Sequence, residues 1–285
     1  MFERYISVDW SGAGTEDQRG DLRVVQAFRR NGEATIVPPP WPGVVNWTRG
    51  ECRRCLAEAL REDQPRCLVA MDFGFGYPWR AERTIFGAGG WRAMLGRLSE
   101  IYAEEGTARS VAERINSFEH FEGHGPYRFD DSRTDFRFYL DHGISYYRLV
   151  EMAVPQAISQ WYLGAGNAVG FGSITGMAAL HHLIELRGEG EVEFRVWPQE
   201  GLVPDPDKHI LAESYPAIYP ELSDYGECTD EHCQDAWKAL RWMTVQDKRG
   251  SLERCFEIGP QPFGRVECVD FEEQIRFEGW ILGIS

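Results

Sequence analysis

No stretch of the sequence reaches the roughly 18–20 uninterrupted apolar residues that a helical membrane span requires. The start, Met1-Phe2-Glu3-Arg4, lacks the basic residues and apolar run of a secretory signal. A soluble, cytoplasmic protein with no membrane partner is the expectation. Internal repeats and low-complexity tails are missing, which excludes a repeat array. Positive charge is also short: 30 Lys and Arg face 45 Asp and Glu, a formal net charge of −15. Non-specific gripping of long nucleic acid is driven by phosphate neutralisation. Such a partner therefore requires a local basic patch, a bridging metal or a partner subunit. Lysine is scarce beside arginine, which suits bidentate phosphate contacts but also follows from genome base content.

Two catalytic signatures are absent. No Lys-Ser/Thr pair follows the loop Ser11-Gly12-Ala13-Gly14, so it is not a Walker-type phosphate loop. No Gly-x-Ser-x-Gly surrounds Ser173, which argues against a serine hydrolase. Cysteine is sparse and odd in number, at seven, so reduced thiols are expected. A zinc site would need two close pairs; Cys52-x-x-Cys55 and the Cys228/Cys233 pair lie about 170 residues apart.

What is present suits a globular protein: 43% hydrophobic and 13% aromatic residues in a chain long enough to bury a full core. Arg4 to Trp10 alternates as a strand, with Ile6, Val8 and Trp10 on one face and Tyr5, Ser7 and Asp9 on the other. Asp21 to Phe28 is a second strand. Asn31-Gly32 signals a tight primed turn, and Glu33 to Val37 returns as a third strand before Pro38-Pro39-Pro40. A helix is predicted over about 48–63. Cys67 to Asp72 follows as a short apolar run, the pattern of a strand buried on both faces and parallel to a neighbour. Residues 80–165 read as irregular, and roughly 80–170 as an insertion or lid within a single domain spanning 1–285. Ser173 to Leu186 reads as a helix, Val192 to Trp197 and Lys208 to Tyr215 as strands. Thr229 is placed to cap a helix over about 230–249.

Four carboxylates fall where elements begin or stop: Asp9, Asp72, Glu213 and Asp235. Strand ends in an α/β sheet share one edge, where ligands commonly bind. Carboxylates converging there repel unless a proton or a cation intervenes, and hard ions such as Mg²⁺ or Mn²⁺ take oxygen ligands. Two such ions activate a water and stabilise the leaving oxygen in phosphodiester cleavage. Each acid has a plainer reading. Asp9 suits an Asx-turn into Ser11-Gly12, Glu213 an arginine partner, and Asp235 the dipole of its helix. Asp72, among apolar neighbours, requires a partner in either case.

Val8-Asp9-Trp10-Ser11-Gly12, Ala70-Met71-Asp72-Phe73-Gly74, Glu213-Ser214-Tyr215-Pro216-Ala217, Asp235-Ala236 and Glu278-Gly279-Trp280-Ile281 occur in that order. Together they resemble the predicted-nuclease family called domain of unknown function 429, of the ribonuclease H-like superfamily. The likeness touches roughly residues 1–80 and 170–285. It implies an α/β ribonuclease H-like mixed sheet, three antiparallel strands then parallel ones, flanked by helices. It also implies a Mg²⁺- or Mn²⁺-dependent nuclease with Asp9, Asp72, Glu213 and Asp235 as metal-binding and catalytic residues. Relatives often carry a His-Asp pair before the Asp-Ala of the last helix. The stretch here reads Glu231-His232-Cys233-Gln234, so His232 is an alternative match that displaces Asp235.

The superfamily also contains sugar kinases and chaperone ATPases. A nucleotide-binding or phosphotransferase protein using the Ser11–Gly14 loop is thus the second reading, and a non-catalytic interaction protein the third. Expected partners are a structured or short nucleic acid, a nucleotide, a protein partner or a second copy. Phe118 to Tyr139, interleaved with Arg128, Arg133 and Arg137, suits either base stacking or an aromatic core. His120, His124, His181 and His182 read as surface or packing residues.

Overall fold

The computed structural model describes residues 1–129, 136–164, 168–259 and 271–285. Six strands among them form one mixed sheet: β1 (Arg4–Asp9), β2 (Arg23–Phe28), β3 (Ala34–Ile36), β4 (Cys67–Met71), β5 (Phe194–Trp197) and β6 (His209–Glu213). Their order across the sheet is β3-β2-β1-β4-β6-β5. β1, β2 and β3 pair antiparallel, whereas β4 is parallel to β1 and β6, and β5 is parallel to β6. Three antiparallel strands followed by parallel ones is the order expected.

Helix α1 (Arg49–Ala59) carries the chain from β3 back to β4. It starts in a capping box: Thr48 Oγ1 accepts from the Glu51 N–H, and Glu51 accepts from the Thr48 N–H. The middle of the chain is more regular than its composition suggests. It forms α2 (Ala81–Thr84), α3 (Trp91–Glu105), α4 (Ala108–Asn116), α5 (Arg137–His142) and α6 (Leu149–Ala153). Met94, Leu95, Leu98, Ile101 and Tyr102 of α3 recur at helical spacing and are buried, so this segment shares the main core. Then come α7 (Gly170–Gly188), α8 (Glu231–Lys248) and α9 (Phe271–Glu278).

Side-chain alternation along the strands sorts the core into two layers. Ile6, Val8, Val69, Met71 and Leu211 face α1, α3, α4 and α7. Tyr5, Leu68, Ala70, Ile210 and Ala212 face the other way, onto Ala236, Leu240 and Met243 of α8 and the C-terminal Trp280-Ile281-Leu282. All of β4 is buried because both its faces are covered. No helix among the described residues is long and apolar enough to cross a membrane.

Three local expectations need correction. The β2–β3 turn is a longer loop in which only Gly32 takes a positive φ (63°), so it is not a primed turn with two such residues. The cap of α8 is Asp230, not Thr229: its carboxylate accepts from the Cys233 N–H and lies at the positive end of the helix dipole. The thiols are not all reduced, since Cys228 and Cys233 form a disulfide, while Cys52, Cys55, Cys67 and Cys255 are free.

Candidate functional site

The register of the parallel strands sets the site. Val8 pairs with Met71, and Met71 pairs with Glu213. The ladder runs one step further, through Asp72 N–H to Val8 O at 3.0 Å and Ser214 N–H to Met71 O at 2.9 Å. Asp9, Asp72 and Ser214 therefore form a row across three neighbouring strands. By alternation this row points toward α8, while Met71 and Glu213 point toward α7. The four acids read from sequence all line one cavity at this edge of the sheet, of about 610 Å³, but they do not share one face.

On the α8 side, Asp9 is 7% exposed and its Oδ2 lies 2.8 Å from His232 Nδ1, which is the donor in the tautomer that satisfies both groups. The Asx-turn alternative is not what Asp9 forms. Burial pushes the Asp9 carboxyl up, while the hydrogen bond and charge of His232, and the charge of Arg23, pull it down. Asp72 is pushed up much further, first by burial, then by the charges of Asp9, Asp235 and Glu213, and by a hydrogen bond with Asp9 itself. Carboxyl groups on adjacent strand ends repel when both are ionised, and a proton or a cation shared by the pair would relieve that repulsion. Asp235, one turn along α8 from His232, is pushed up to about 6, first by burial and then by Asp9. The His232 imidazole is raised, chiefly by its bond to Asp9. Both residues thus reach the site, and only His232 touches Asp9.

On the α7 side, Glu213 has a partner that the sequence pattern does not disclose. Arg148, in the residue before α6 and 1% exposed, donates from Nη1 to Glu213 Oε2 (2.8 Å) and from Nη2 to Glu213 Oε1 (2.6 Å). Its Nε donates to Glu151 at 2.7 Å, and Nη1 also reaches the Glu278 carbonyl at 2.9 Å. Glu213 Oε2 accepts a further bond from the Phe75 N–H at 3.1 Å. Burial opposes the guanidinium charge, but Glu213 and Glu151 outweigh it and keep Arg148 firmly protonated. Glu213 is the counter-ion of a buried arginine, so its oxygens are already engaged. The only local hint is Glu151 three residues after Arg148; the link to Glu213 spans 65 residues.

Trp10 to Ala13 form another wall of the cavity. Gly12 lies against the first turn of α7, where a Cβ would stand 2.2 Å from the carbonyl carbon of Phe171. Arg49 donates to the carbonyls of Ser11 (3.2 Å), Ala13 (2.9 Å) and Gly14 (3.2 Å), which fixes the loop from behind. Glu151, Gln160 and Ile158 of the middle segment close the opposite side, so residues 80–170 supply part of the site.

The remaining candidates sort plainly. Ser173 is buried and hydrogen-bonded to Gln160. Phe121, Tyr127, Phe138 and Tyr139 pack in the core, Phe118 and Phe129 are half-buried, Phe136 is exposed, and Arg133 lies outside the described residues. His120 stacks on Phe118, and His181 and His182 both face Glu185. Among the described residues no three His, Cys, Asp or Glu side chains come close enough together to hold a metal ion. Compared with family models, curated proteins and solved structures, the chain matches none.

Proposed function

We propose that this chain is a Mg²⁺- or Mn²⁺-dependent phosphodiesterase of the ribonuclease H-like type, with Asp9 and Asp72 as the carboxylate ligands of the cation. The observation that carries the reading is the side-by-side placement of these two acids at the ends of adjacent parallel strands, where both line one cavity. Such a pair fits the group. Mg²⁺ keeps several waters and is commonly bound by one or two carboxylates, so Asp9 and Asp72 would hold it and it would offset their mutual repulsion. When bound, the cation would act as a Lewis acid on a phosphoryl oxygen and lower the pKa of a coordinated water.

The chain's own groups have separate tasks. Asp9 is oriented by His232, and Asp72 by the β4 ladder. Asp235 adds negative charge beside them from α8. Arg148 holds Glu213 away from the pair, so Glu213 supports the wall of the site and does not ligate. The lining carries Asp9, Asp72, Glu151, Glu213, Glu231 and Asp235 against Arg148 and His232. A cation held by Asp9 and Asp72 would supply the positive charge that a phosphate needs in this lining. The net charge of −15 and the confined cavity favour a nucleotide or the end of a short strand over a long duplex.

The test is Mn²⁺ titration by calorimetry with wild type and Asp72→Asn, followed by hydrolysis of short oligonucleotides. Saturable binding that disappears in the variant supports the reading; no binding, or equal binding in both, removes it. A nucleotide-binding protein is the second reading, favoured by Ser11, Gly12 and Ala13 lining the same cavity. It predicts thermal stabilisation by a nucleotide without any divalent ion.

A further inference from the structure

Glu213 stands in the sequence where a third acid is expected, but the register hands that position to its neighbour. Ser214, not Glu213, continues the row begun by Asp9 and Asp72. The same step of the ladder that sets Asp72 beside Asp9 sets Ser214 beside Asp72, with strands about 4.8 Å apart. Ser214 is 2% exposed, lines the cavity, and its Oγ has no hydrogen-bond partner among the described residues. Leaving a buried hydroxyl without a partner is unfavourable, because it gives up the bonds it made to water. Its neighbours have partners: Asp9 Oδ2 lies against His232 Nδ1, Glu213 accepts from Arg148 and from the Phe75 N–H, and the Ser214 N–H donates to the Met71 carbonyl. The hydroxyl is thus open to something that enters the cavity, in the same row as the Asp9 and Asp72 carboxyls.

We infer that Ser214 Oγ is the third protein ligand of the divalent cation held by Asp9 and Asp72. This inference rests on the cation site proposed above. The chemistry agrees: a neutral hydroxyl is a hard oxygen donor, as in phosphate-binding loops whose Ser or Thr ligates Mg²⁺. It also adds a ligand without adding to the repulsion between Asp9 and Asp72, which a third carboxylate in that row would do.

The experiment measures metal binding by calorimetry on the full chain, with Mn²⁺ and Cd²⁺, for wild type, Ser214→Ala, Ser214→Cys and Asp72→Asn. The expected result is Mn²⁺ binding to wild type, weakened roughly 10-fold or more in Ser214→Ala, the scale on which supporting groups act at metal sites. In Ser214→Cys the ratio of Cd²⁺ to Mn²⁺ affinity rises about 10-fold, because a thiolate prefers the softer ion. That gain cannot come from a loss of folding. If wild type and Ser214→Ala bind Mn²⁺ equally while Asp72→Asn does not bind, the role of Ser214 is overturned and the carboxylate site stands. If wild type binds no Mn²⁺, both fall together.

Discussion

Arg148 and Glu213 share two hydrogen bonds, at 2.8 and 2.6 Å, between side chains that are almost wholly buried. The pair joins the middle segment to the end of β6, and through the Glu278 carbonyl to the end of α9. Removing one partner of such a pair leaves the other charge buried and uncompensated. Arg148→Met is expected to destabilise the fold by about 3–5 kcal/mol. Glu213→Gln in the same chain should recover part of that loss, because it removes one of the stranded charges. Urea unfolding of both variants checks this; a change below about 1 kcal/mol in Arg148→Met would contradict the buried pair.

Glu278 predicts a pH dependence. Burial pushes its carboxyl up to about 7, against the opposing pull of the Leu149 N–H, Gln274, the Trp79 N–H and the charge of Arg148. A carboxyl whose folded pKa exceeds its unfolded value binds its proton more tightly when folded. Its stabilising contribution is complete below about 4.5, is lost as pH rises to about 7, and is worth about 3 kcal/mol. Unfolding midpoints at pH 5 and pH 7.5 should therefore fall more steeply for wild type than for Glu278→Gln. Equal slopes would show that Glu278 does not titrate in this window.

The disulfide closes a small loop, Cys228 to Cys233, which contains the cap Asp230 and the Asp9 partner His232. Replacing both cysteines by serine is expected to cost about 2 kcal/mol, the chain-entropy value for so short a loop. Alkylation of the unfolded chain without reductant should leave Cys228 and Cys233 unlabelled. Labelling of either one would mean that the bond is not formed.

At the start of α1, Thr48→Ala removes the hydroxyl that accepts from the Glu51 N–H. The expected loss is about 1 kcal/mol, or a fall in Tm of about 2–4 °C. Glu51→Ala should lower Tm further, because Glu51 also holds Arg19 through two bonds of 2.7 Å and Trp41 Nε1 at 2.7 Å.

Period and punctuation in the chain determine much of the fold. The alternation in Arg4 to Trp10, the unbroken apolar run Cys67 to Met71, and the stops at Pro38 and Pro198 carry the strand positions in short-range patterns. The spacing in α3 is legible in the same way, though the charged and aromatic residues around it obscure its neighbours. Asp9 and Asp72 are legible as acids at strand ends, because a carboxylate beside an apolar run needs a reason to be there.

The faces of the site are another matter. Whether Glu213 or Ser214 stands beside Asp72 depends on a register one residue wide, and a one-residue step sends every side chain to the opposite face. That register is fixed by both core layers packing at once, against α7 on one side and α8 on the other. Arg148 meets Glu213 only after 65 residues of chain have folded back across the sheet, and His232 meets Asp9 after 223. Local pattern determined which elements form and which acids end them. Tertiary packing alone decided which side chains share a face and which charge each acid meets, because contacts so distant in sequence leave no local period to read.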